Sequence, residues 1–188
     1  MENEFKNLIS ICEDIFRRKN AEYGPVWAIF RWGSLVDQLW IKAKRIRRIE
    51  EKIGHIPEPI EDEYIALINY AIIFLMRIKN TEVFVEPDKL LEDISALDEY
   101  TEDQILAIYR EMADLSYELC KAKNHDYGNA WRDMAVASIT DLIIIKVLRL
   151  KHIIKHNPNI SGHDVDQQLY DIINYSALAL IKLGHPTG

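Results

Sequence analysis

Apolar residues recur along most of the chain at steps of three and four positions. This spacing places them on one face of an α-helix and therefore predicts helices rather than strands. Two series show it most clearly: Tyr64, Leu67, Ile68, Ala71, Ile72 and Leu75, then Leu169, Ile172, Ile173, Ser176 and Leu180.

The pattern predicts six long helices separated by clear breaks. Their expected ranges are about 3–19, 33–54, 61–79, 102–123, 137–156 and 164–183. Gly24-Pro25, Pro57–Pro59, Gly128-Asn129 and Asn157–Asn159 interrupt the pattern. Thr101–Gln104 has the spacing of a capping box and marks the start of the fourth long helix. Between the third and fourth helices, Pro87 is expected to open a short helix that runs through Leu97.

The chain contains an internal repeat. Lys19–Gly24 (KNAEYG) matches Lys123–Gly128 (KNHDYG) 104 positions later. The same offset aligns further pairs: Trp27 with Trp131, Ser34 with Ser138, Asp37 with Asp141, Lys42 with Lys146, and Arg45 with Arg149. Asn69-Tyr70 matches Asn174-Tyr175 at an offset of 105. Shared ancestry of the two halves explains this order of matches best.

The repeat predicts how the chain is organised. Residues 1–80 form the first three-helix repeat, 81–100 a linker with a short helix, and 101–188 the second repeat. A single three-helix repeat buries too small a hydrophobic core to be stable alone, so we expect the two repeats to pack together. The sequence therefore predicts an all-α, pseudo-twofold helical bundle that resembles a fused dimer.

Composition excludes several classes of protein. A formal net charge of −7 argues against nonspecific nucleic-acid binding, although a small phosphorylated ligand needs only a local cationic pocket. Cys12 and Cys120 lack zinc-ligand spacing and are expected to be buried thiols. The apolar runs are shorter than a membrane span, and the first residues do not resemble a signal peptide. We expect a cytoplasmic protein.

Glu22 and Asp126 precede Tyr-Gly in the two repeats, in a loop expected just after a helix. Carboxylates suit Mg²⁺, which prefers hard oxygen ligands, and a magnesium site is one interpretation. The other interpretation is a side-chain-stabilised turn in which glycine supplies the positive backbone angle.

A second candidate set lies on the long middle helix of each repeat. It comprises Asp37, Lys42 and Arg45, with Asp141, Lys146 and Arg149 as their counterparts. Lys146 interrupts an apolar run, so its ammonium group needs a carboxylate, a phosphate or a path to water. Phosphate binding by the lysines and arginines and an exposed stripe of ion pairs remain alternative explanations.

The last helix of each repeat carries a third set. Asp62, Asn69 and Tyr70 lie in the first repeat, while Asp171, Asn174 and Tyr175 lie in the second. Asparagine among core residues must find hydrogen-bond partners, and a structural register lock is the alternative to ligand binding. Trp27 and Trp131, with Tyr23 and Tyr127, are expected to pack in the core, although rings beside a phosphate pocket also stack on nucleobases.

Taken in order, these motifs resemble the DUF1599 family, also called nucleotide modification associated domain 1. The resemblance covers about 12–79 and 112–183, and it implies a role connected with nucleotides. In family-like sequences the last helix resembles Asp-x3-Asp-x2-Asn-Tyr. Here the first repeat has Asp62 but Ala66, and the second has Asp171 but Gln167. One composite site, or one working and one degenerate site, is therefore expected.

The layout also resembles, more distantly, the all-α nucleotide pyrophosphohydrolases of the MazG and dimeric dUTPase kind. This implies a Mg²⁺-dependent nucleoside triphosphate pyrophosphohydrolase. Its catalytic and metal residues would be Asp126, Asp171 and Asp141, with Glu22, Asp37 and Asp62 as further metal ligands. Substrate would be bound by Lys146, Arg149, Lys42, Arg45, Asn174, Tyr175, Asn69 and Tyr127. The alternative is a noncatalytic helical module that binds a nucleotide or a protein; homodimerisation is left open.

Overall fold

The computed structural model describes residues 1–53, 59–157 and 163–185. Within these ranges the regular structure is helical, which confirms the predicted all-α fold. The α-helices are α1 (Glu2–Tyr23), α2 (Trp32–Glu50), α3 (Ile60–Lys79), α4 (Pro87–Glu92), α5 (Glu102–Tyr127), α6 (Val136–His156) and α7 (His163–Lys182). Pro57, Glu58, Pro158 and Asn159, which were expected to break the chain, lie outside the described residues.

The Tyr-Gly motif ends the first helix of each repeat. Gly24 and Gly128 have positive φ angles of 71° and 58°, which a glycine adopts without the steric cost of a Cβ atom. The prediction that Glu22 and Asp126 lie in a loop after the helix was wrong, because both belong to the last helical turn. Since the preceding residues are compatible with helix, α1 and α5 continue until the glycine stops them.

Short 3₁₀ turns follow these glycines at Val26–Ile29 and Ala130–Asp133. Each turn buries one tryptophan against the last turns of the preceding helix, Trp27 in the first repeat and Trp131 in the second. The two halves therefore share a helix, turn, helix, helix order, and the start of α5 is capped as predicted, because Thr101 Oγ1 accepts a bond from the Gln104 amide.

The three long helices of one repeat pack against their counterparts in the other. α1 contacts α5, α2 contacts α6, and α3 contacts α7. α1 also contacts α7, and α5 contacts α3. These two contacts are equivalent under the twofold symmetry. This arrangement confirms the pseudo-twofold bundle. α3 and α7 form its centre, where Leu67, Ile72, Leu169 and Ile173 are fully buried.

The linker between the repeats differs from its prediction. Instead of one short helix through Leu97, it forms α4 and then a 3₁₀ turn at Ile94–Glu99. The Asp93 side chain accepts a bond from the Ser95 amide, which starts the second turn. Phe84, just before α4, packs edge-on against Trp27 with ring centres 5.4 Å apart. The linker thus supports the first repeat at its tryptophan.

Within the part of the chain that the structure describes, no helix is both long and apolar enough to cross a membrane.

Candidate functional site

Each repeat contains a cavity bounded by the end of its first helix, its 3₁₀ turn and its last helix. The first cavity has a volume of about 600 Å³ and the second about 280 Å³. Equivalent residues line both of them. In the first cavity these include Phe16, Lys19, Asn20, Tyr23, Trp27, Phe30, Ala66, Asn69 and Tyr70. In the second they are Cys120, Lys123, Asn124, Tyr127, Trp131, Met134, Asp171, Asn174 and Tyr175.

The tryptophan of each cavity is held by an asparagine from the repeated motif. Trp27 Nε1 donates to Asn20 Oδ1 at 2.9 Å. The bond from Trp131 Nε1 to Asn124 Oδ1 is also 2.9 Å. A buried indole N–H needs an acceptor, so this bond explains why both repeats have asparagine at this position of the motif.

The second cavity contains a buried carboxylate that is bound by two lysines. Asp171 Oδ1 lies 2.5 Å from Lys123 Nζ, and Asp171 Oδ2 lies 2.8 Å from Lys146 Nζ. The Asp171 and Lys146 side chains are 9% and 15% exposed, so their pair is largely shielded from solvent, whereas Lys123 is partly exposed. Lys146 therefore has the carboxylate partner that its apolar surroundings require. The charges inside this cavity are already paired.

The first cavity uses a carboxylate at a different position. Ala66 stands where the second repeat has Asp171, and Glu63, which aligns with Gln168, supplies the acid instead. Glu63 Oε2 lies 3.1 Å from Lys42 Nζ, and its Oε1 lies 3.5 Å from Arg45 Nε. Because Glu63 lies almost one helical turn earlier on α3, the space beside Ala66 stays open. The first cavity therefore lacks an acid at the point where the second has Asp171.

Lys19 is the counterpart of Lys123 and lines the first cavity. Among the described residues, no hydrogen-bond or ion-pair partner is found for the Lys19 ammonium group. Its counterpart lies 2.5 Å from Asp171. Lys19 is exposed and lines the first cavity, where Ala66 offers it no acid.

Asn69 and Asn174 line the cavities and also connect helices. Asn69 Nδ2 donates to the Cys12 carbonyl at 3.2 Å, and Asn69 Oδ1 accepts from Tyr109 at 2.6 Å. In the second repeat, Asn174 Oδ1 accepts from Ser116 Oγ at 2.8 Å. These bonds supply the structural role that the sequence left as an alternative to ligand binding.

Asp37 and Asp141 form equivalent ion pairs between the repeats. Asp37 lies 2.9 Å from Lys151 Nζ, and Asp141 lies 3.0 Å from Arg47 Nη2. Arg47 and Lys151 are themselves 104 positions apart, so one ion pair is the twofold image of the other. The two aspartates connect α2 to α6 on the surface. This arrangement gives a reason for their retention that requires no metal.

The other predicted residues are spread over the surface. Glu22, Asp126 and Arg149 are exposed, and Tyr127 is exposed at the rim of the second cavity. Asp62 is exposed and lines the first cavity. Within the described ranges, no three His, Cys, Asp or Glu side chains come close enough together to hold a metal ion.

Five polar residues of the cavities were missed as site candidates, namely Lys19, Asn20, Glu63, Lys123 and Asn124. Lys19 and Asn20 belong to the repeated motif, so their identity with Lys123 and Asn124 was a usable signal. Glu63 gave no such signal, because its counterpart is Gln168 and a comparison of the repeats selects only identical or similar residues.

Comparison with known proteins agrees with this repeat structure. The family model DUF1599, nucleotide modification associated domain 1, matches residues 19–78 and 123–183. The chain belongs to this family and carries two copies of its domain, one around each cavity. No curated protein and no solved structure matched the chain.

Proposed function

We propose that the protein binds a nucleotide in the first cavity. The observation that carries this proposal is the contrast between the cavities, because only the first combines open volume with an unpaired lysine among the residues described. A volume of about 600 Å³ is within the range of small-molecule sites. The family description supports a nucleotide as the class of ligand.

The walls of the first cavity suit a nucleobase. Trp27, Phe30 and Tyr70 supply aromatic surface on the side of the 3₁₀ turn and α3. Trp27 is fixed by its bond to Asn20 and by Phe84 behind it. Aromatic side chains that are already held in place bind a planar base with little loss of conformational freedom.

Hydrolysis of a nucleoside triphosphate is the narrower proposal. The first cavity offers Asp62 at its surface, while Glu63 is already paired with Lys42. This arrangement favours binding as the primary activity. If a divalent ion takes part, it would arrive with the phosphates of the ligand, and Asp62 is the carboxylate placed to meet it.

The test is thermal unfolding against a panel of nucleosides and ribo- and deoxynucleotides, with and without Mg²⁺. A ligand that binds the folded state raises the midpoint by mass action. Ala66→Phe, which fills the first cavity, should abolish the shift. Ala130→Phe, which adds the same side chain at the second cavity, is the control and should keep it. Chromatography of the recovered ligand then separates binding from cleavage.

An unchanged shift in Ala66→Phe would contradict the first cavity as the site. The absence of a shift with every nucleotide at millimolar concentration would contradict the proposed ligand class. Cleaved product that requires Mg²⁺ and disappears in Asp62→Asn would establish the narrower, catalytic proposal.

A further inference from the structure

We propose that the ligand of the first cavity is a nucleoside monophosphate, and that its phosphate lies beside Ala66, between Lys19 and Lys42. This inference rests on the proposed function and specifies the ligand of the same site. It follows from what the second repeat places at the equivalent point, which is the carboxylate of Asp171.

The second cavity shows how this pair of lysines binds an anion. Lys123 comes from the end of α5 and Lys146 from the middle of α6, and their ammonium groups lie 2.5 and 2.8 Å from the two oxygens of Asp171. The carboxylate therefore bridges two helices. In effect, the chain supplies an anion of its own to the second cavity.

The first cavity keeps both lysines but lacks that anion. Lys19 and Lys42 occupy the equivalent positions on α1 and α2, and both line the cavity. Ala66 has no group that reaches them. A phosphate beside Ala66 would stand to Lys19 and Lys42 as the Asp171 carboxylate stands to Lys123 and Lys146.

The positive charge that lines the first cavity is too small to balance a triphosphate. The charged residues that line the first cavity are Lys19, Lys42, Asp62 and Glu63, two of each sign. Lys42 is already paired with Glu63, so Lys19 is the cation available to a ligand. Further phosphates would add negative charge near Asp62 without another lysine to offset it, and like charges at short range repel. A monophosphate matches the available charge best.

The experiment is isothermal titration with a nucleoside, its monophosphate and its triphosphate, without divalent ions. We expect the monophosphate to bind at least about tenfold more tightly than the nucleoside, which is the scale of one charge-assisted hydrogen bond. Lys19→Met should remove this advantage. Lys123→Met changes the equivalent lysine of the second cavity and should leave the advantage in place.

A second pair of variants tests the position of the phosphate. Ala66→Asp recreates the arrangement of the second cavity and should lower affinity for the monophosphate at least about tenfold more than Ala66→Asn, which adds similar bulk without charge.

The possible failures are distinguishable. Equal affinity for nucleoside and monophosphate, or equal effects of Ala66→Asp and Ala66→Asn, would overturn the phosphate position while leaving nucleotide binding intact. Tighter binding of the triphosphate would overturn the charge argument. No binding by any of the three compounds would overturn the proposed function itself.

Discussion

The indole of Trp27 donates a hydrogen bond to the side-chain oxygen of Asn20, 2.9 Å away and seven residues earlier in the chain. The bond crosses the glycine that ends α1 and fixes the 3₁₀ turn against the helix. The same bond occurs in the second repeat between Trp131 and Asn124. One of these equivalent bonds lies beside the larger cavity and the other beside the smaller cavity that contains Asp171. Comparing variants of the two bonds therefore separates structural effects from functional ones.

Asn20→Ala and Asn124→Ala should reduce stability by similar amounts. Each leaves a buried indole N–H without its acceptor, which costs about 1–3 kcal/mol. Only Asn20→Ala should also weaken nucleotide binding, because Trp27 is a wall of the first cavity. Urea unfolding and calorimetric titration of both variants test this. Equal losses of affinity in the two variants would contradict the difference between the cavities.

Asp171→Ala should destabilise the protein by about 2 kcal/mol, because it removes charge-assisted bonds to Lys123 and Lys146. It should also open the second cavity to an external anion, so that binding increases from one nucleotide per chain to two. Glu63→Ala is the matched control: it removes the ion-paired acid of the first repeat and should keep a single site. Titration calorimetry gives the number of binding sites in each variant. A single site in Asp171→Ala would show that Asp171 does not keep nucleotides out of the second cavity.

Asp37→Asn and Asp141→Asn should have small, equal effects on stability. The ion pairs that they break are about half exposed, and such pairs contribute less than about 1 kcal/mol. The loss should shrink further in high salt, since exposed charges are screened. Neither variant should alter nucleotide binding. A loss of binding or of Mg²⁺ dependence in either variant would restore these residues to the candidate site.

Glu50 should make stability depend on pH. It accepts a bond from Thr140 Oγ1 at 2.7 Å. Burial raises the pKa of Glu50 above its usual value, although its bonds to Thr140 and Tyr64 act in the opposite direction. The folded state therefore holds the Glu50 proton more tightly than the unfolded state does. This contribution is complete below the usual glutamate pKa and is lost as the pH rises through the raised value.

Glu50→Gln should accordingly be more stable than the natural protein at neutral pH, by less than about 1 kcal/mol because Glu50 is only partly buried. The advantage should fade as the pH falls from the raised pKa of Glu50 to the usual glutamate value. Urea unfolding at several pH values checks the sign. If the stability of the natural protein rises relative to that of Glu50→Gln as the pH rises, the predicted direction is wrong.

The sequence predicted the fold closely because helical spacing, helix-ending glycines and an internal repeat all point to the same architecture. The motif Lys19–Gly24 also marked the correct region for the first cavity. Retention of Asp37 and Asp141 in both repeats is expected for a metal site and equally for a twofold pair of ion pairs. Only the packing of α2 on α6 reveals the ion pairs, because Lys151 and Arg47 lie on the helix of the other repeat.

The open cavity itself was beyond the reach of sequence comparison. The two repeats place an acid differently there: Asp171 stands at the position of Ala66, whereas Glu63 lies almost one helical turn earlier on α3. In the sequence this is a pair of unrelated differences between the repeats. In three dimensions it changes the partner of Lys42 and leaves Lys19 facing the first cavity.

The most direct test of the account is a crystal structure of the protein with a nucleoside monophosphate. The account predicts one ligand per chain in the first cavity, with its base against Trp27 and a phosphate oxygen about 3 Å from Lys19 Nζ. The second cavity should still contain the Asp171 carboxylate between its two lysines. A ligand in the second cavity, or one bound outside both cavities, would contradict the account.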